Sequence, residues 1–131
     1  MARILVVDDR AVNRDLLSYL LSYFGHDVST ASDGADALRT ALADPPDLVV
    51  MDIEMPGTDG CTAARLMRAE TALKNVPLIA VSASTITLEE AQRAGFDDFY
   101  PIPIEPRAFL ARLEPLLRRG NPVGDGIRGK L

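Results

Sequence analysis

Three short apolar runs, separated by segments with helical periodicity, constrain the fold of this chain more than any other feature. They are "ILVV" at residues 4–7, "DLVVM" at residues 47–51 and "VPLIAVSA" at residues 76–83. Runs of this length and composition are typical of strands that are buried on both faces. Their alternation with helices predicts a doubly wound α/β domain with a mostly parallel sheet.

Two weaker strands and five helices complete the predicted pattern. "DVSTA" at Asp27–Ala31 suits an edge strand, and "DDFY" at residues 97–100 suits a short last strand. The helices are predicted at residues 11–24, 33–43, 61–70, 88–95 and 106–119. Residues 1–119 are thus expected to form one domain. The glycine-rich segment at residues 120–131 is expected to be a flexible tail.

Individual residues refine the predicted helices. Asp33 is a candidate N-cap of the second helix. Pro115 predicts a kink or a break in the last helix, because proline cannot donate a backbone hydrogen bond. One face of the first helix is predicted to carry Leu16, Leu17, Leu20, Leu21 and Phe24.

The charge and the cysteine content restrict the classes of function. A net charge of −5 without a basic cluster argues against nucleic-acid binding, and no apolar run approaches transmembrane length. Cys61 is the only cysteine, so an internal disulfide is impossible and a reducing compartment is favoured. We therefore expect a soluble cytoplasmic protein that binds neither nucleic acid nor a membrane.

Polar side chains follow three of the predicted strands. Asp8 and Asp9 come after the first strand, Asp52 after the third, and Ser82 lies at the end of the fourth. Singly, Asp9 could cap a helix, Asp52 could be an ordinary loop residue and Ser82 a helix cap. Together, carboxylates at the carboxyl edge of a parallel sheet predict a site for a hard cation such as Mg²⁺. Such a site suits phosphoryl transfer, in which a carboxylate can be the nucleophile.

At these residues the sequence resembles the receiver domain of bacterial response regulators, in particular single-domain, chemotaxis-regulator-like members. The matching segments are "ILVVDD", "DLVVMDIEMPGTDG", "PLIAVSAS" and "GFDDFYPIPIEP", over roughly residues 3–118. The resemblance implies a flavodoxin-like receiver fold of five parallel strands in the order 2-1-3-4-5 with five helices. It also implies a signalling role in a two-component phosphorelay rather than an enzyme's turnover, beyond self-phosphorylation and autodephosphorylation.

The resemblance assigns roles to the acidic residues. Asp52 would accept a phosphoryl group from a sensor histidine kinase or a histidine phosphotransferase. Asp8, Asp9 and Asp52 would bind Mg²⁺, with the backbone carbonyl of Glu54 as a further ligand.

The resemblance also assigns residues that would sense and transmit phosphorylation. The Ser82 hydroxyl would contact the phosphoryl group, and Phe99 would be the aromatic side chain that changes rotamer. A downstream protein would bind the face formed by the fourth helix, the fifth strand and the fifth helix.

The chain departs from the family pattern at the lysine that normally contacts the phosphoryl group, where it has Ile102. Neither Lys74 nor Lys130, its only lysines, is placed to substitute, and Arg10 is more simply a solvated charge at a helix start. In the family the peptide between this lysine and the next proline is commonly cis. The resemblance therefore predicts a cis Ile102–Pro103 peptide.

Two hypotheses remain open, and two others are disfavoured. The domain is either a receiver that is phosphorylated on Asp52 but weakly switched, or a pseudo-receiver that binds a protein partner without phosphorylation. A haloacid-dehalogenase-like phosphatase is disfavoured, because Asp52 and Glu54 follow the third strand and lead to Pro56. An FMN site is disfavoured, because no Ser/Thr/Gly-rich phosphate loop follows the first strand.

Overall fold

The computed structural model describes residues 2–55, 57–83 and 86–120, with the side chains of 119 and 120 excepted. Five parallel strands form one sheet in the order β2-β1-β3-β4-β5. The strands are β1 (Arg3–Val7), β2 (Asp27–Ala31), β3 (Leu48–Met51), β4 (Leu78–Ser82) and β5 (Asp98–Pro101). The predicted fold class and strand order are confirmed.

Five helices connect the strands and follow the last one. They are α1 (Ala11–Tyr23), α2 (Gly34–Ala43), α3 (Gly60–Ala69), α4 (Leu88–Ala94) and α5 (Pro106–Gly120). Asp33 caps α2 as predicted, with its carboxylate accepting from the Asp36 N–H at 2.7 Å. Residues 121–131, which hold most of the predicted tail, lie outside the described residues.

Of the predicted kink or break at Pro115, the break is wrong, because α5 runs unbroken through it, and the kink stays a prediction. Proline at this position removes the hydrogen bond to the carbonyl of Ala111. Both Pro115 and Ala111 are exposed, so water can satisfy that carbonyl and the helix continues. Within the described ranges, none of the helices is long and apolar enough to cross a membrane.

Alternate residues of the strands fill two apolar clusters, one on each face of the sheet. In β1, Leu5 and Val7 face the cluster formed with α2, α3 and α4, whereas Ile4 and Val6 face α1 and α5. The second cluster centres on Phe109 of α5, which is fully buried. Because both faces are covered, the polar groups of this domain can converge only at an edge of the sheet.

The buried face of α1 is narrower than predicted. Leu17 and Leu21 are buried, but Leu16 is 64% exposed and Phe24 is 52% exposed. Successive helical residues point about 100° apart, so Leu16 lies beside the buried pair. The other large exposed side chains of α1 are Val12, Tyr19 and Tyr23. With Leu16 and Phe24 they form an apolar surface that we call the α1 stripe.

Arg68 of α3 forms hydrogen bonds with the segments that precede β4 and β5. Its guanidinium donates to the carbonyls of Val76 and Gly95 at 2.6 and 2.8 Å, and to the Asp97 carboxylate at 2.8 Å. Asp97 also accepts from the N–H of Leu78 at 2.9 Å. This network fixes the segments that lead into β4 and β5, and therefore the positions of the residues that follow them.

The loop after β3 returns to the sheet through a close backbone contact at Gly60. The Gly60 N–H donates to the Ile53 carbonyl at 2.9 Å, and a Cβ on Gly60 would lie 2.7 Å from the Ile53 Cα. That Cβ would also clash with the Asp52 carbonyl oxygen. Only glycine allows this approach, which holds the loop against the end of β3.

We predict that Gly60→Ala destabilises the domain by about 1–3 kcal/mol, because the backbone at Asp52 and Ile53 must move to admit the methyl group. Thr62→Ala, on the exposed side of the same helix, is the control and should change stability by less than about 0.5 kcal/mol. Urea unfolding measures both. Equal stability of the Gly60→Ala variant and the parent chain would show that the contact relaxes without cost.

Candidate functional site

Three carboxylates meet at the carboxyl edge of the sheet. Asp8 and Asp9 follow β1 and Asp52 follows β3, and these two strands are neighbours. One carboxylate oxygen from each of the three lies within 4.8 Å of the others. Ser82, fully buried at the end of β4, lies on the next strand along the same edge. We call Asp8, Asp9 and Asp52 the acidic cluster.

Asp8 is held in place by the start of α1. It is only 3% exposed, and its carboxylate accepts from the Arg10 N–H at 2.9 Å and from Asn13 Nδ2 at 3.2 Å. Arg14 Nη1 donates to the backbone carbonyl of Asp8 at 2.8 Å. The residue that caps α1 is Arg10, without a side-chain hydrogen bond, so the helix-cap interpretation of Asp9 is wrong.

The surroundings of Asp52 disfavour its negative charge. Burial raises the pKa of this half-buried carboxyl above its usual value, and the charges of Asp8 and Asp9 raise it further. Hydrogen bonds from the Glu54 N–H, at 3.1 Å, and from the Ser82 hydroxyl oppose this shift without cancelling it. Asp52 therefore lies where a cation would be stabilising.

No side chain of the described residues supplies that cation. None of the ion pairs between described residues includes a member of the acidic cluster, and Arg10 forms none of them. Ile102 stands where the resemblance leads one to expect lysine. Its side chain is 39% exposed, and its N–H donates to the Ser82 carbonyl at 3.2 Å. The predicted cis Ile102–Pro103 peptide is confirmed.

The other predicted site residues lie around this edge. Phe99 of β5 is half-buried and packs against the cluster of α2, α3 and α4. Glu54 is exposed two residues after Asp52. The geometry places Phe99 one strand away from Ser82, since β5 pairs with β4.

Sequence reasoning missed a cleft between α1 and the segment that joins β5 to α5. The cleft has a volume of about 530 Å³. It is lined by Asp8, Asn13, Leu16, Leu17, Tyr19, Leu20, Val81, Ile102, Pro103, Ile104 and Pro106. The apolar sequence "PIPIEP" is the feature that could have predicted this cleft, because exposed apolar residues at a sheet edge often line a binding site.

Comparison with known proteins gives a consistent family. Residues 4–114 match the family model of the response regulator receiver domain. The chain is 38% identical over 125 residues to the response regulator MprA of Mycobacterium avium. That alignment covers 94% of this chain and 54% of MprA, so the chain spans about half the length of this relative.

Solved structures share the architecture. The chemotaxis protein CheY4 of Vibrio cholerae is 28% identical, with a TM-score of 0.83 over 88% of this chain and 98% of that one. The receiver domain of the sensor histidine kinase PA1611 from Pseudomonas aeruginosa, solved with a magnesium ion coordinated in its active site cleft, is 30% identical. Its TM-score is 0.82 over 88% of this chain and 97% of that one.

The sheet order, the acidic cluster at its carboxyl edge and the family match over residues 4–114 lead to one conclusion. This chain belongs to the response regulator receiver domain family of two-component signalling.

Proposed function

We propose that this domain accepts a phosphoryl group on Asp52 and signals through protein contacts. The donor would be the phosphohistidine of a sensor histidine kinase or a histidine phosphotransferase. The observation that carries the proposal is the acidic cluster, whose three carboxylates approach within 4.8 Å around the half-exposed Asp52. Carboxylates so close together without a paired cation are costly, and such arrangements are typical of functional sites.

The donor set of the acidic cluster fits Mg²⁺. Three hard oxygen ligands at one edge, one of them from the exposed Asp9, match the coordination that Mg²⁺ prefers. Asp8, Asp9 and Asp52 would hold the ion, with the backbone carbonyl of Glu54 as a further ligand. When bound, the ion offsets negative charge on the phosphoryl oxygens. The magnesium ion in the receiver domain of PA1611 supports this assignment.

In the proposed reaction, a carboxylate oxygen of Asp52 attacks the phosphorus atom of the phosphohistidine. The P–N bond breaks, and the electron pair leaves with the imidazole of the donor. The Glu54 N–H holds one oxygen of Asp52 at 3.1 Å, which orients the carboxylate for attack. The Ser82 hydroxyl, which bonds to Asp52 here, would donate to the transferred phosphoryl group instead.

Ile102 would weaken the response to phosphorylation. An ammonium–phosphoryl hydrogen bond contributes about 1.5–3 kcal/mol, and isoleucine cannot make it. Phosphorylation would then change the conformation of the segment after β5 less strongly, although Phe99 could still change rotamer. A pseudo-receiver that binds its partner without phosphorylation is the alternative, and Ile102 is the observation that favours it.

Two surfaces are available to protein partners. The resemblance favours the face formed by α4, β5 and α5 for the downstream partner, and Leu88 of α4 is exposed there. The α1 stripe exposes more apolar side chains, and α1 begins two residues after Asp9. We propose that the downstream partner binds the α4–β5–α5 face, which leaves the α1 stripe available to the phosphoryl donor.

We predict that acetyl phosphate and Mg²⁺ add the mass of one phosphoryl group to the protein, as measured by intact mass spectrometry. Asp52→Asn should abolish this addition, because an amide is a poor nucleophile. Asp15→Asn, which changes an exposed carboxylate on α1, is the matched control and should not affect it. Absence of any mass increase in the parent chain would favour the pseudo-receiver.

We predict that Asp52→Asn stabilises the protein at pH 7 without divalent cations, by at most about 1 kcal/mol because the group is half-exposed. The raised pKa means that Asp52 favours the folded state only when protonated. This contribution is complete below pH 3.8 and is lost as the pH rises through the folded-state pKa. The gain from asparagine should therefore disappear in acid.

Denaturant unfolding at pH 7 and near pH 3.5, with a chelator present, measures this difference. Mg²⁺ should then stabilise the parent chain more than the Asp52→Asn variant. A variant that is less stable than the parent at neutral pH would contradict the assigned electrostatic cost.

We predict that Ile102→Lys raises the affinity for beryllofluoride with Mg²⁺ by at least about tenfold, because it restores a charge-assisted hydrogen bond. Ile102→Met keeps an apolar side chain of similar size and should leave the affinity near that of the parent. Titration followed by NMR gives both values. Similar affinities for the lysine and methionine variants would show that position 102 does not face the phosphoryl group.

A further inference from the structure

The cleft between α1 and the β5–α5 segment combines an apolar wall with one buried carboxylate. Leu16, Leu20, Ile102 and Ile104 line it from the two sides, and Asp8 belongs to the same lining. A volume of about 530 Å³ lies within the range of pockets that hold small organic ligands. The cleft therefore has room for a ligand with a substantial apolar body.

The charge of the cleft favours apolar ligands that carry a cationic group over those that carry an anionic group. Asp8 is part of the acidic cluster, and no ion pair between described residues includes any of its members. The Asp8 carboxylate accepts from uncharged donors, the Arg10 N–H and Asn13 Nδ2, and the guanidinium of Arg14 donates to the backbone carbonyl of Asp8 instead. A cationic group would be attracted here and a carboxylate would be repelled.

Position 102 explains why a ligand could supply this cation. Ile102 adds apolar surface to the cleft where a lysine would have brought its own ammonium group. The missing charge and the added apolar surface thus occur at the same place. A molecule that carries an ammonium group on an aliphatic chain complements both.

We propose that this cleft binds a free aliphatic amine, whose chain lies against Leu16, Leu20 and Ile104 and whose ammonium group pairs with Asp8. The amine takes the place of the lysine that this chain lacks. Its regulatory consequence rests on the proposed function: a bound amine would strengthen the interaction with a phosphoryl group on Asp52. The binding itself does not depend on phosphorylation.

The first test is a titration of the full chain with n-hexylammonium chloride, n-hexanol and sodium hexanoate, followed by methyl NMR. Hexylammonium should give saturable shifts at Leu16, Leu20, Ile102 and Ile104, whereas Leu88 on α4 serves as the internal control. Its affinity should exceed that of the other two probes by at least about tenfold. Equal binding of hexanol, or equal shifts at Leu88, would overturn the proposal.

Chain length distinguishes a free amine from a lysine side chain of a partner protein, which offers the same ammonium chemistry. The affinity of the amine should rise about two- to fourfold per methylene from butyl- to octylammonium, because the cleft accommodates more than four carbons. A plateau at butylammonium, the length of a lysine side chain, would overturn the assignment to a free ligand.

Two variants test the role of position 102. Ile102→Lys should abolish the preference for hexylammonium over hexanol, because the new side chain supplies the ammonium group. Ile102→Met should retain the preference, since it changes only the shape of an apolar side chain. A preference that survives in the lysine variant would place the ammonium group elsewhere.

A separate titration with beryllofluoride and Mg²⁺ tests whether the bound amine strengthens the interaction with a phosphoryl group. Hexylammonium should raise the beryllofluoride affinity of the parent chain several-fold and leave that of Ile102→Lys unchanged. Loss of phosphorylation with intact amine binding would contradict the proposed function alone. Absence of amine binding in a chain that is phosphorylated would overturn the present proposal alone.

Discussion

Repulsion among Asp8, Asp9 and Asp52 is the constraint on which the rest of this structure depends. A parallel sheet with both faces covered leaves its carboxyl edge as the place where strand ends meet, and here an aspartate follows each of two neighbouring strands. Burial raises the pKa of Asp52 and the repulsion raises it further, and the chain tolerates both because the surrounding backbone is fixed. The site is thus built at a cost in stability that a bound cation can offset.

Backbone contacts outside the acidic cluster provide this rigidity. Gly60 brings the loop after β3 against the Asp52 carbonyl, and the start of α1 fixes Asp8 through the Arg10 N–H and Asn13. Arg68 holds the segments before β4 and β5, although it lies at the opposite end of these strands. These contacts all come from the chain itself, and they position Asp8 and Asp52 at the carboxyl edge of the sheet.

The sequence predicted those parts of the structure that depend on local pattern. The apolar runs predicted the strands and the resemblance predicted their order, so the convergence of Asp8 and Asp52 could be expected from the sequence. The exposure of Leu16 could not be predicted, because the apolar periodicity of a helix does not show how much of its surface the neighbouring elements cover. The break expected at Pro115 does not occur for a related reason, since the cost of a lost hydrogen bond depends on whether water reaches the carbonyl. The cleft arises from two segments that lie far apart in the chain, and no local pattern joins them.

Ile102 connects the electrostatics of the site with its shape. A lysine there would neutralise part of the acidic cluster and would also occupy space beside α1 with a flexible, hydrated side chain. Isoleucine does neither, so the carboxylates form no ion pair with position 102 and the cleft gains an apolar wall. The two effects occur together, because Ile102 lines the same cleft as Asp8 of the acidic cluster. No ion pair between described residues includes the acidic cluster, so a cation from outside the chain can still compensate it, either a metal ion bound by the carboxylates or a cation that enters along the apolar cleft.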